Sequence, residues 1–158
     1  LWPDAATRRA LQAWQDAVSW PADARPTAAA QLHLTLHFIG AVPRERLAEL
    51  QAGLVRPFTP FTLRLAHFAL WRGGIAVLQA AETPPGLARL HATLAEALHA
   101  LALPVDERPF RPHVTLARHA GGAWPAGAAA PVEWPAEAGY VLAESAGGYR
   151  VLRGFAPG

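Results

Sequence analysis

The sequence predicts an α+β protein, and three observations carry that reading. Apolar residues recur at three- and four-residue spacing in some stretches and alternate with polar ones in others, so helices and strands are both expected. The order runs helix, strand, helix, hairpin, helix, strand, hairpin, a unit of one helix and a few strands used twice. Two of the alternating stretches, Gln31 to Phe38 and Phe110 to Arg118, each hold a His-x-Thr-Leu, which would place them equivalently in the two halves.

Leu1-Trp2-Pro3 reads as the tail of a strand. Asp4 is a helix cap, and Ala10, Leu11, Trp14 and Val18 follow at helical spacing. Pro21 and Pro26 break Ser19 to Ala30 into loop. Leu32 to Ile39 is predicted as a strand ended by Gly40. Pro43 suits a first helical position, Leu47, Leu50 and Leu54 share a face, and Pro57 stops that helix. Phe61 to Gln79 reads as an antiparallel pair turning at Trp71-Arg72-Gly73-Gly74.

Thr83-Pro84-Pro85 opens the longest helix, whose stripe of Leu87, Leu90, Leu94, Leu98 and Leu101 runs to about Leu103. Val105 to Pro109 is loop, and the strand around His113 follows. Ala120 to Pro131, rich in Gly, Ala and Pro, is expected to be a mobile surface loop. Tyr140 to Ser145 and Tyr149 to Phe155 flank Gly147-Gly148, a hairpin signal.

With 158 residues, 52% of them apolar, the chain suits one domain with a sizeable core. No apolar run reaches membrane-spanning length, and nothing reads as a signal peptide. Cys is absent, which excludes disulfides, Cys-based zinc sites and thiol catalysis and fits a reducing cytoplasm. All 14 basic residues are Arg, whose planar fork suits phosphate, but a net charge of +2 does not resemble a duplex-coating protein. There is no Gly-x-Ser-x-Gly, Walker or dinucleotide glycine motif.

Chance would give roughly 0.05 copies of His-x-Thr-Leu in this composition. The sequence holds three: at His33, His91 and His113. On a strand, residues two apart share a face, so His33 with Thr35 and His113 with Thr115 point together. His91-Ala92-Thr93-Leu94 falls in the long helix, where two residues advance about 200°, so His91 and Thr93 cannot grip one group and His91 reads as a helix-face residue. Alternation also puts His37 and His119 on the faces of His33 and His113. Crowded imidazoles leave zinc as a rival reading, although no helical His-Glu-x-x-His accompanies them. Solvated strand faces are the bland alternative.

A pair of imidazoles can act as base and acid in a single displacement, with hydroxyls donating to the oxygens where charge builds. That set of parts suits in-line attack on a phosphodiester without a metal.

The stretches His33-Leu34-Thr35-Leu36 and Phe110-Arg111-Pro112-His113-Val114-Thr115-Leu116-Ala117-Arg118 resemble the two signatures of the two-histidine phosphoesterases. Within that superfamily the chain is most similar to the bacterial and archaeal RNA 2′,3′-cyclic phosphodiesterases, also called 2′-5′ RNA ligases. Leu32 to Gly40 with Pro43 to Leu47, and Glu144-Ser145 with Tyr149, Leu152 and Phe155, extend the likeness over nearly the whole chain. The resemblance implies a bilobal α+β fold over residues 1–158. Two small antiparallel sheets would flank a central cleft, helices would lie outside, and the halves would be related by a pseudo-twofold repeat.

The resemblance also implies roles. His33 would be the proton donor to the leaving 3′ oxygen and His113 the proton acceptor from water. Thr35 and Thr115 would hold the phosphate. Arg118 matches an Arg that contacts substrate in relatives, but alternation puts it opposite His113 unless the strand ends or bulges near Ala117. Arg111, on the His113 face, is the fallback, and either Arg could equally be a solvated surface charge. His37 stands where relatives often carry Lys, and the family's usual first strand is nearly missing.

The implied substrate is an RNA or nucleotide 2′,3′-cyclic phosphate end, opened to a 2′-phosphate by a cytoplasmic monomer needing no cofactor, metal or membrane. The competing functions are 2′-5′ RNA ligation, hydrolysis of another cyclic phosphate, or a nucleotide- or RNA-binding module without catalysis.

Overall fold

The computed structural model describes residues 1–157. Helix α1 spans Ala5–Ala17, and the Asp4 carboxylate accepts a hydrogen bond from the Thr7 backbone N–H at 2.7 Å, as an N-cap should. Leu11 and Trp14 are buried on its inner face. Two short strands follow, β1 (Val18–Ser19) and β2 (Arg25–Pro26). Pro43 precedes a turn of 3₁₀ helix at Arg44–Arg46 that leads into α2 (Leu47–Gly53). The long hairpin is β3 (Phe61–Trp71) and β4 (Ile75–Ala80), and α3 (Pro85–Ala100) starts on Pro85. The remaining strands are β5 (His113–Arg118), β6 (Trp124–Pro125), β7 (Val132–Ala136), β8 (Tyr140–Glu144) and β9 (Arg150–Phe155).

One antiparallel sheet has the order β2-β5-β4-β3-β7; β8 pairs only with β9, and β1 only with β6. The main core lies between the large sheet and the helices. Leu63, Leu65, Leu78, Val114, Leu116 and Trp134 from the sheet meet Leu11, Leu87, Leu90 and Leu98 from α1 and α3. Full burial of such side chains contributes about 1.5–3 kcal/mol each, which orders the sheet that carries His113. One cleft lies between residues 35–38 and Trp71 and His113 of this sheet, and an adjoining cavity lies between the 32–39 stretch and the β8–β9 hairpin.

Three expectations need correction. Leu32 to Ile39 alternates as a strand would but forms no ladder. Among the described residues its one strand-like pairing is with Leu1, which exchanges both backbone hydrogen bonds with Leu34, at 2.6 and 3.1 Å. Alternation reports which side chains are buried, whereas a ladder also needs a neighbouring backbone. The stretch is fixed by its buried Leu32 and Leu34 instead.

Ala120 to Pro131 is not a free loop. Ala120 and Ala123 are buried, Ala120 N donates to Gly74 O, and Ala126 and Gly127 both donate to Ala17 O. Low side-chain volume removed the apolar signal there without removing the packing. Finally, β7 is a strand that periodicity did not flag. Its Val132, Trp134 and Ala136 point inward while Pro135 faces out, tolerated because β7 is the sheet edge.

Candidate active site

His33 and His113 are held by the same local device. His33 Nδ1 lies 2.6 Å from the Gln31 carbonyl oxygen and His113 Nδ1 lies 2.7 Å from that of Arg111. A carbonyl only accepts, so each ring carries its proton on Nδ1 when neutral and presents Nε2 as the reactive nitrogen. In both cases the carbonyl belongs to the residue two before the His. His33 Nε2 lies 3.1 Å from Thr35 Oγ1, whose hydroxyl donates to the neutral ring.

Aromatic side chains enclose both imidazoles. Trp2 stacks on His33 at 5.2 Å, and the Tyr149 ring, itself edge-on to Trp2 at 6.2 Å, leans on the imidazole at 4.1 Å. Trp71 leans on His113 at 4.3 Å. Burial behind these rings pushes both imidazole pKa values down; the Gln31 carbonyl opposes this at His33 and the Arg111 carbonyl at His113, while the His113 charge adds to the lowering at His33.

The cleft has a volume of about 810 Å³ and is lined by Thr35, His37, Phe38 and His91 on one side and Trp71, Arg111 and His113 on the other. His33 lines an adjoining, mainly apolar cavity of about 550 Å³, and Thr35 borders both. Arg111 and Arg72 reach the cleft and, among the described residues, neither forms an ion pair. Arg108 is occupied by Asp106.

Thr115 and Arg118 do not line this cleft. Thr115 is half-buried two residues along from His113, paired with Val77. Strand β5 does bulge: Ala117 pairs with Ala76 and Thr115 with Val77, so Leu116 has no opposite number on β4. Leu116 and Ala117 are both buried, and the skipped beat returns the exposed Arg118 to the Thr115 side. The Leu116 carbonyl is satisfied from elsewhere, by Thr27 N–H at 2.8 Å and by the Gln15 side-chain amide at 2.9 Å.

His91 corrects the reading of a bland helix-face residue. Its separation from Thr93 holds, since the Thr93 hydroxyl turns back to Leu90 O. Yet the His91 ring is sandwiched in the cleft wall between His37 at 4.0 Å and Phe110 at 3.9 Å. His37 Nε2–H donates to the His91 carbonyl at 2.8 Å, tying the first motif to α3. Burial, with the His37 charge beside it, pushes the His91 pKa down to about 4. His119 is outside the cleft: it takes a left-handed φ of 51° after the strand and is exposed. The crowd of four imidazoles expected from alternation therefore does not form. Among the described residues no three His, Asp or Glu are arranged to hold a metal ion.

Trp2, Trp71, Tyr149, His91 and Phe110 were missed as site residues. Their rings meet the catalytic candidates from distant parts of the chain, and local spacing carries no signal for that. Only Phe110, inside the second motif, was within reach of sequence reasoning.

Two imidazoles in adjoining cavities that share Thr35, with the Thr35 hydroxyl and the Arg111 guanidinium, can move protons to and from an anion and hold it. Comparisons with known proteins agree with this geometry. The family model described as the 2′-5′ RNA ligase superfamily matches residues 2–141. The RNA 2′,3′-cyclic phosphodiesterase of Escherichia coli (strain K12) is 38% identical over 106 residues, 65% of this chain and 60% of the relative. That of Thermus thermophilus is 36% identical over 136 residues, 77% of this chain and 67% of the relative. This chain thus aligns with less than two thirds of the E. coli relative's length.

Among solved structures, E. coli LigT complexed with 3′-AMP superposes with a TM-score of 0.74 at 27% identity, over 98% of this chain and 93% of that one. A crystal structure of a phosphoesterase gives 0.77 at 28% identity, over 99% and 94%. The match to the family model takes in both His-x-Thr stretches and the cleft between them, and the chain belongs to the 2′-5′ RNA ligase superfamily.

Proposed function

We propose that the protein opens the 2′,3′-cyclic phosphate end of RNA or of a nucleotide by adding water, leaving a 2′-phosphate and a free 3′ hydroxyl. The matched tethering of the two imidazoles carries this reading: each Nδ1–H is committed to a carbonyl, so each Nε2 is left for the substrate. His113 Nε2 takes a proton from water as its oxygen attacks phosphorus. The bond from phosphorus to the 3′ oxygen breaks, and His33, entering as the imidazolium, gives its Nε2 proton to that oxygen. The Thr35 hydroxyl donates to a non-bridging oxygen. Arg111 neutralises the phosphoryl group from the His113 side, and Thr115 and Arg118 act farther along the strand.

The reading extends to one catalytic unit over 1–158, acting as a cytoplasmic monomer without a metal. Among the described residues, no helix is long and apolar enough to cross a membrane. The relatives in E. coli and T. thermophilus are RNA 2′,3′-cyclic phosphodiesterases, which supports the same chemistry here.

Incubation with a nucleoside 2′,3′-cyclic phosphate, with and without EDTA, tests the proposal. Formation of the nucleoside 2′-phosphate at equal rates in both is expected. No turnover would favour a binding module, and loss of activity with chelator would favour a metal-assisted route.

A further inference from the structure

The Gln31 side chain has a role that the two-imidazole chemistry leaves unused. Its backbone carbonyl accepts from His33 Nδ1, while its side-chain Oε1 accepts from the Tyr149 backbone N–H at 2.7 Å. Tyr149 sits just beyond the β8–β9 turn, where Gly147 and Gly148 have φ of 72° and 115°. These are left-handed conformations that glycine supplies without strain. The turn end of the hairpin is closed by Glu144, which pairs with Arg150 across the strands and with Arg44 ahead of α2. Tyr149, next to Arg150, is tied to the first motif by the Gln31 amide oxygen. That tether holds the Tyr149 ring against His33, beside Trp2.

We propose that Gln31 is a positioning residue for His33: one residue fixes the imidazole proton through its backbone and, through its side chain, holds the Tyr149 ring against the imidazole. This rests on the acid role given to His33 above. A side chain 118 positions away in sequence is thereby recruited to the motif by a single hydrogen bond. Packing Tyr149 there removes water from that side of the imidazole and holds it in one orientation, the two things a proton donor needs on each turnover. The charged or titratable side chains near the ring are His113 and Tyr149 itself.

Three variants separate positioning from folding. Gln31→Met keeps the length and removes the acceptor. Gln31→Glu keeps an acceptor at the same reach. Tyr149→Phe keeps the ring. With a nucleoside 2′,3′-cyclic phosphate, Gln31→Met should lower kcat about 10-fold, a fraction of the roughly 10²-fold that misplacement by 1 Å can cause. KM should stay within about 2-fold, as for loss of an interaction that serves only the transition state. Gln31→Glu should recover most of the kcat, and Tyr149→Phe, which keeps the ring and the backbone N–H, should leave the lowered His33 pKa in place.

Gln31→Met combined with Tyr149→Ala should be no slower than Tyr149→Ala alone, since the two act as one unit. In the free protein, NMR titration should show the His33 pKa of Gln31→Met rising toward the ordinary imidazole value, because water regains the ring. An unmoved His33 titration, or multiplicative effects in the double variant, would overturn the proposal. The NMR reading does not depend on turnover. If the unaltered protein is inactive while the His33 shift appears, the hydrolytic reading fails and the positioning stands.

Discussion

In the proposed reaction, removing either imidazole deletes one of the two proton carriers. His33→Ala and His113→Ala are each expected to slow hydrolysis by about 10²–10⁴-fold, and the double variant to be far less than multiplicatively worse. Near-unaltered rates in either single variant, with binding intact, would refute the acid–base assignment. The direction of the pKa shifts adds a pH prediction. Burial lowers both groups below the usual 6.5, while the reaction needs His113 neutral and His33 charged. The kcat/KM profile of the free protein should therefore peak on the acid side of pH 6.5. A bound phosphate anion favours the charged rings, so the kcat profile should lie at higher pH. A kcat/KM optimum well above neutrality would contradict this.

His33, Thr35 and His113 were legible because period-two alternation needs only local sequence. Arg118 required a bulge that the sequence cannot date to Leu116, since it depends on what β4 and α1 offer that backbone. The His37–His91–Phe110 stack was invisible for a related reason: three rings from three segments meet only after folding.

Among elements, the joint between β7 and β8 is the most sharply constrained. Gly139 has φ of +88°, and a Cβ there would fall 1.9 Å from the Phe155 carbonyl oxygen. Gly139→Ala is expected to destabilise the protein by about 2–4 kcal/mol, combining left-handed strain with backbone displacement. A urea midpoint unchanged from the parent would show that the joint yields more easily. Helices α1 and α3 and the hairpins β3–β4 and β8–β9 could be read directly, since each carries its own period and stop signals. Strand β7 could not, because Glu133 and Pro135 dilute a run of only five residues. The 32–39 stretch was over-read, since burial on alternate residues arises from packing alone.

At the scale of the molecule, α+β followed from the order of elements, whereas the sheet order β2-β5-β4-β3-β7 did not. Which strands become neighbours depends on long-range pairing that no local pattern records. The buried ring stack ties acid sensitivity to the whole fold. His91 has a native pKa of about 4 against an ordinary 6.5, so the unfolded chain takes its proton first as pH falls. The stability it contributes is fully present above pH 6.5 and is lost progressively down to about pH 4. His91→Phe should keep the stack and flatten the fall in Tm across that interval. An equal fall in the variant would place the acid sensitivity elsewhere.

The tethers at Gln31 and Arg111 bear on how such a cleft opens and shuts. Each imidazole takes its bearing from its own segment, two residues upstream, and none from the facing lobe. Hinge motion that widens the gap to release product would change how far apart the rings stand but not where each one aims. On reclosure the two nitrogens return already oriented, and only the distance between them has to be regained.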